Sequence, residues 1–151
     1  MSLRILEDKR RFEFHRLSPS ERDRIVKALA KALSGRGEVV LAVVFGGFVE
    51  SEVFRDVDVA VFTGYTVPYD RVEVFEEELS RYLESIVRLP VDVRVIDYAP
   101  SWFRVRALNG VVLVEKEPAL AARLKFKSWQ EVNDFKVKLR KVSLKTLMRS
   151  S

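Results

Sequence analysis

The sequence predicts an α/β fold of the α+β kind: a mixed β-sheet with helices on one face and a long C-terminal helix. Three observations predict it. Apolar residues switch repeatedly between helical spacing and short β-branched runs. The runs number four and are separated by turn signals and helical stretches, which is the pattern of a mixed layered domain rather than a bundle or a sandwich. The last thirty or so residues carry one more helical stripe. At 151 residues the chain suits one domain with a sizeable core. We expect that domain to span 1–151, with its core at about 18–116 and a helical segment at 118–149.

The first helix opens at Leu17-Ser18-Pro19-Ser20-Glu21, where Ser18 can cap, Pro19 suits the first turn and Glu21 completes a capping box. Ile25, Val26, Leu29, Ala30 and Leu33 then fall on one face, and Gly35 and Gly37 end the helix. Glu38–Phe45 reads as a strand buried on both faces, broken by Gly46-Gly47 and a short helix. Arg55–Phe62 is a second strand, with clear alternation. Tyr69–Arg88 is a long helix with Val72, Phe75, Leu79, Tyr82, Leu83 and Ile86 on one side, and Pro90 cannot continue it. Val91–Asp97 is a third strand, Ser101–Leu108 a short helix stopped by Asn109-Gly110, and Val111–Glu115 a fourth strand. Trp129, Val132, Phe135, Leu139 and Val142 form the stripe of the last helix, which opens near Pro118 and extends toward Leu147. Residues 1–16 are ambiguous, with Arg11–His15 a candidate edge strand and His15 a surface or strand-edge residue.

Composition narrows the chemistry. There is no cysteine and one histidine, so disulfides, thiol nucleophiles and Cys/His zinc sites are excluded. A metal would need oxygen ligands, which favours magnesium or manganese. No apolar run approaches the roughly 20 residues of a membrane span, and Met1–Arg11 lacks the apolar segment of a signal peptide; a cytoplasmic protein is expected. Rare amides, absent cysteine and abundant charge resemble a thermophile's composition. Residues 123–151 hold nine Lys or Arg against two acids, a net +7, so the other 122 residues net −2 in a chain of formal charge +5. The plain reading is a solvated helix face; a surface for an acidic partner or RNA is the other.

Three features carry chemistry. Gly46-Gly47 leaves a buried strand, where backbone can approach a ligand closely and N–H groups at a helix start suit phosphate oxygens. Asp56-Val57-Asp58 puts two carboxylates on one face of a strand and valines on the other. By itself Asp-x-Asp is more often a pair of solvated aspartates, but a divalent cation would relieve their repulsion. Asp92 shares a face with Arg94, opposite Val91, Val93 and Val95. If both valine faces pack against the same helices, the three aspartates share the opposite face. By this parity Asp97 falls on the valine side, at a strand end where an acid can reach solvent or cap the following turn.

Phe45-Gly46-Gly47, the eight residues after it, Asp56-Val57-Asp58 and the distant strand aspartate Asp92 together resemble the signature of the polymerase-β-like nucleotidyltransferases. Val91–Pro100, Leu108-Asn109-Gly110-Val111, Val114-Glu115-Lys116 and Asp134-Phe135-Lys136 are similar to that family's pattern too, and the resemblance covers roughly residues 39–140. Its nearest form is the minimal nucleotidyltransferase of prokaryotes. The resemblance implies a palm-like fold, with Gly46 and Gly47 on the triphosphate of a nucleotide, ATP by preference. Asp56 and Asp58 would hold magnesium or manganese. Asp92 would complete the triad as metal ligand and general base, and the partner would be a HEPN-domain protein in an antitoxin–toxin pair. Ser51 and Arg55, in the loop 48–55, are candidate phosphate contacts, against the plainer reading of solvated loop residues. Two departures stand out: Gly47 replaces the frequent serine, and the loop is short and carries Glu50 and Glu52. They keep open a second reading, a weakly active or inactive subunit that works by masking its partner. An RNA-binding domain is a weaker third, because no strand carries a pair of base-stacking aromatics. Trp102 and Phe103 are expected to pack their short helix, with base stacking the other reading, and Trp129 to lie in the core or an interface.

Overall fold

The computed structural model describes residues 13–149. Their elements are β1 (His15–Arg16), α1 (Pro19–Ser34), β2 (Leu41–Phe45), α2 (Gly47–Glu50), β3 (Val53–Phe54), β4 (Val57–Phe62), a 3₁₀ turn at Tyr69–Arg71, α3 (Val72–Val87), β5 (Val91–Val95), α4 (Ser101–Leu108), β6 (Val111–Glu115) and α5 (Leu120–Arg149). Four strands form a mixed sheet in the order β5-β4-β2-β6. β2 runs antiparallel to β4 and β6, and β4 runs parallel to β5. The candidate edge strand at 11–15 is realised as His15–Arg16, which pairs with β3 in a separate two-stranded ribbon; Arg11 and Phe12 lie outside the described residues.

The local signals act as expected at the ends of the helices. Ser18 caps α1, its side chain accepting from Glu21 N at 3.2 Å and donating back to Glu21 Oε1 at 3.0 Å. Arg88 ends α3 in the left-handed conformation at φ 59°, just before the proline that prevents continuation.

One face of the sheet is covered by α1 and α3. Val57, Val59 and Val61 of β4 and Val91, Val93 and Val95 of β5 join Leu29 and Leu33 of α1 and Phe75, Leu79 and Leu83 of α3 in one core. The second face is only partly open. Leu41, Val43 and Phe45 of β2, with Ala60 and Phe62 of β4, pack against Ala107 and Leu108 of α4 and Leu120 of α5. The expectation of helices on one face therefore holds for the two long packed helices, while α4 and the root of α5 shield part of the other. The cause is legible in β2, which is apolar at every position and so needs cover on both sides. What stays open is the end of this face where β2 finishes and β4 and β5 begin.

α5 has 30 residues, a rod of about 45 Å. Leu120 and Ser128 are buried, whereas every described side chain from 134 to 149 is exposed. Trp129 is 53% exposed and stacks on Phe126 at 6.3 Å; it is not in the core of this chain. Among the described residues no helix is long and apolar enough to cross a membrane.

Candidate active site

The site is built by strand parity. In the parallel ladder between β4 and β5, Asp58 is the register partner of Asp92, and Phe45 at the end of β2 is the antiparallel partner of Asp58. Because alternate side chains share a face, Asp58 and Asp92 project side by side from the open end of the sheet. Asp56 stands one residue before β4, half-buried, and its charge acts on Asp58.

Gly46 completes the corner. It caps α2 at φ 77°, ψ −154°, a conformation essentially reserved for glycine. A Cβ at this position would lie 2.5 Å from Asp58 Oδ2. The chain thus turns directly over the carboxylate, and the amides of Gly47 and Phe48, at the start of a helix, precede its first internal bond, from Val49 N to Gly46 O. Gly47 is less constrained: a Cβ there would meet only Phe54 Cβ, at 3.6 Å.

The electrostatics follow from this crowding. The Asp58 carboxyl is raised from its ordinary 3.8 to about 6, first by burial, then by the charges of Asp92 and Asp56, with Arg106 and Arg94 opposing. Glu76 of α3 is raised as well, again mainly by burial, although it accepts a hydrogen bond from Val95 N at 2.9 Å. Asp92 pairs loosely with Arg94, Nε to Oδ2 at 3.4 Å. Asp58 and Asp92, side by side, offer hard oxygens of the kind that magnesium takes in ones and twos. Among the described residues, no three acidic side chains are gathered into a cage that would hold a metal ion by themselves.

The other expected residues divide: Arg55 shares a cleft with Asp56 and Asp92, and Ser51 does not line it. Ser51 is the exposed C-cap of α2. Arg55 lies over the Phe14 ring at 4.6 Å and lines the wide cleft under α3 together with Asp56 and Asp92. Asp97 is engaged elsewhere, by Thr63 and Tyr65. It is 4% exposed and accepts from Thr63 N at 2.9 Å, Thr63 Oγ1 at 3.0 Å and Tyr65 N at 2.7 Å. It caps the turn after the neighbouring strand β4 and does not reach solvent or cap the turn that follows it, because parity drives it to the buried side where Thr63 and Tyr65 offer donors.

Three arginines escaped the sequence reading. Arg22 of α1 donates to the carbonyls of Phe48, of Ser51 at 2.7 Å and of Glu52 at 2.6 Å, and lies over the Phe48 and Phe54 rings. It pins the loop that follows the glycines. Arg104, buried, donates to Ile96 O at 2.8 Å and Asp97 O at 2.6 Å and so fixes the end of β5. Arg106 faces Asp58 across a groove of about 390 Å³. Trp102 also lines that groove and is 61% exposed; it does not pack its helix as expected, although Phe103 does.

No curated protein matches the chain. Its fold is similar to crystal structures of toxin–antitoxin complexes. One holds AMP-PNP (18% identity, TM-score 0.61, covering 84% of this chain and 98% of the other). One is of MntA–HepT (17%, 0.56, 87% and 99%). One contains a tri-AMPylated Shewanella oneidensis HEPN toxin with an MNT antitoxin (17%, 0.57, 85% and 97%). At these identities the likeness is one of fold. The family model described as polymerase beta, nucleotidyltransferase, matches residues 27–119. That span takes in the glycine corner, the aspartate pair of β4 and β5 and their supporting helices, and the chain belongs to the polymerase beta nucleotidyltransferase family.

Proposed function

We propose that the chain is a metal-dependent nucleotidyltransferase that moves AMP from ATP to a hydroxyl of a HEPN-domain protein partner, acting as the antitoxin of the pair. The observation that carries this is the juxtaposition of Asp58 and Asp92 beside Gly46, in a chain of this family. The complexes of similar fold, with AMP-PNP in one and a tri-AMPylated HEPN toxin in another, support the choice of nucleotide and partner. We take the residues of the sheet and its helices to act as one domain, working in the cytoplasm where ATP is available.

Gly46 and Gly47 leave room and amide donors for the phosphates. Asp56, Asp58 and Asp92 would hold magnesium or manganese, which binds through one or two carboxylates plus substrate phosphates rather than in an all-protein cage. The cation, when bound, stabilises charge developing on the phosphates. Asp92 accepts the proton of the acceptor hydroxyl. The acceptor oxygen bonds to the α-phosphorus, the bond from that phosphorus to the bridging oxygen breaks, and pyrophosphate leaves with the electron pair. Ser51 and Arg55 belong to this reading as phosphate contacts, Arg55 from the cleft that it lines with Asp56 and Asp92.

The second reading, a subunit that acts by masking its partner, is favoured by the exposed apolar stripe of α5 and by the acids Glu50 and Glu52 near the phosphate corner. One experiment separates the two. The chain and its HEPN partner are incubated with labelled ATP and magnesium, and label on the partner is followed. Transfer that Asp58→Asn abolishes supports the enzyme; equal partner inhibition by wild type and Asp58→Asn, without label, supports masking.

A further inference from the structure

An aromatic row leads away from the glycine corner. Phe45, the residue before Gly46, meets Phe103 edge to face at 5.9 Å, and Phe103 meets Trp102 edge to face at 5.9 Å. Exposure rises along the row, from buried Phe45 through half-buried Phe103 to Trp102 at 61%. All three line the groove that Asp58, Asp92 and Arg106 also line. One end of the groove is therefore acidic and adjoins the phosphate corner, while its far wall is an indole set perpendicular to a packed phenylalanine. A large, exposed aromatic held in place beside a charged site is an arrangement suited to a flat ligand: it offers a π-face without needing to be ordered on binding.

We propose that Trp102 is the nucleobase platform of this site: the base of the bound nucleotide stacks on its indole, with Arg106 flanking the sugar-phosphate path from the Gly46 corner. This rests on the nucleotidyltransferase reading and adds a specificity element to it. Stacking is tolerant of base identity but grows with overlap, so a bicyclic purine is favoured over a pyrimidine. No hydrogen-bonding residue is invoked, and the preference is one of degree.

The chain has two tryptophans, Trp102 and Trp129. In a Trp129→Phe background the fluorescence reports Trp102 alone. The full chain is titrated with ATP, UTP and inorganic tripolyphosphate, each with magnesium, and the same ligands are measured by calorimetry on Trp102→Ala and Trp102→Phe. ATP is expected to quench Trp102 saturably and tripolyphosphate to bind without quenching. Trp102→Ala is expected to weaken ATP on the order of tenfold, to leave tripolyphosphate unchanged and to shrink the gap between ATP and UTP, while Trp102→Phe retains most of the affinity. Because Trp102 is largely exposed, both variants should melt near wild type. ATP binding with no quench and no loss in Trp102→Ala overturns the platform while leaving the nucleotide site standing. Failure of both ATP and tripolyphosphate to bind overturns the nucleotide reading itself and the platform with it.

Discussion

Gly46 sits over Asp58 so closely that a Cβ on it would come within 2.5 Å of the carboxylate oxygen. The residue next to it has room to spare, with only Phe54 Cβ at 3.6 Å. The two glycines of the motif are thus unequal. Gly46→Ala introduces a side chain at a positive φ that costs roughly 1–3 kcal/mol and displaces Asp58. We expect a lower melting temperature and loss of nucleotide binding in calorimetry. Gly47→Ser places its Cβ without conflict and should stay within about 0.5 kcal/mol of wild type, with nucleotide binding undiminished. Equal damage from both substitutions would contradict the geometry.

Arg22 and the loop it clamps give a second expectation. One guanidinium serves three carbonyls, at residues 48, 51 and 52. Lysine keeps the charge but is a point donor on a flexible stem and cannot span them. Arg22→Lys and Arg22→Ala should both lose about 1–3 kcal/mol and should speed amide exchange across residues 48–54. Hydrogen-exchange mass spectrometry reads this directly, and protection unchanged in both variants would remove Arg22 from the role.

The pH dependence follows from Asp58. Its carboxyl titrates near 6 in the folded chain against an ordinary 3.8, so the folded state binds the proton more tightly than the unfolded state. The stability this confers is full below about pH 4 and is lost as pH rises through about 6. Asp58→Asn removes the liability. In chelator, wild type minus Asp58→Asn stability, taken from urea midpoints between pH 4 and 7.5, should fall across that window, and magnesium with ATP should restore wild type selectively at neutral pH. A difference that stays flat with pH would show that the crowding of Asp58 by burial, Asp92 and Asp56 is not felt in solution.

The parts of the site that obey strand alternation could be read from sequence. Val57, Val59 and Val61, and Val91, Val93 and Val95, declare a buried face by composition alone, and Asp58 and Asp92 fall opposite by parity. Arg22 could not be read this way: its partners lie 26 to 30 residues along the chain, and nothing local separates a clamp from a solvated arginine on a helix. β3 is not legible within the loop 48–55, because two residues carry no period and its pairing with β1 is a tertiary choice. Trp102 and Phe103 are adjacent and equally apolar in sequence, and only the packing shows that Phe103 turns inward and leaves the indole outside.

The last expectation distinguishes Asp92 from Asp97, two acids five residues apart whose roles separate by side. The ladder pairs residues 57–61 with 91–95 without interruption. The register shift in this sheet falls instead between β2 and β6, at Ala42/Val43, so parity holds through Asp92. Asp92 is half-buried beside Asp58, with a loose 3.4 Å contact to Arg94. Asn is nearly isosteric and the site is open, so Asp92→Asn should leave the melting temperature close to wild type. On the proposed role of general base, its loss should lower transfer on the order of 10²-fold or more. Asp97 is the reverse case. Its two oxygens accept three hydrogen bonds in a buried pocket, and an amide would turn an NH₂ group toward a donor already there. Asp97→Asn should therefore cost about 1–3 kcal/mol of stability, loosen the turn at 63–66, and leave transfer little changed at a temperature where the variant stays folded. Paired melting curves and transfer assays on the two variants check this. Lost transfer with intact stability in Asp97→Asn, or lost stability with intact transfer in Asp92→Asn, would reverse the assignment.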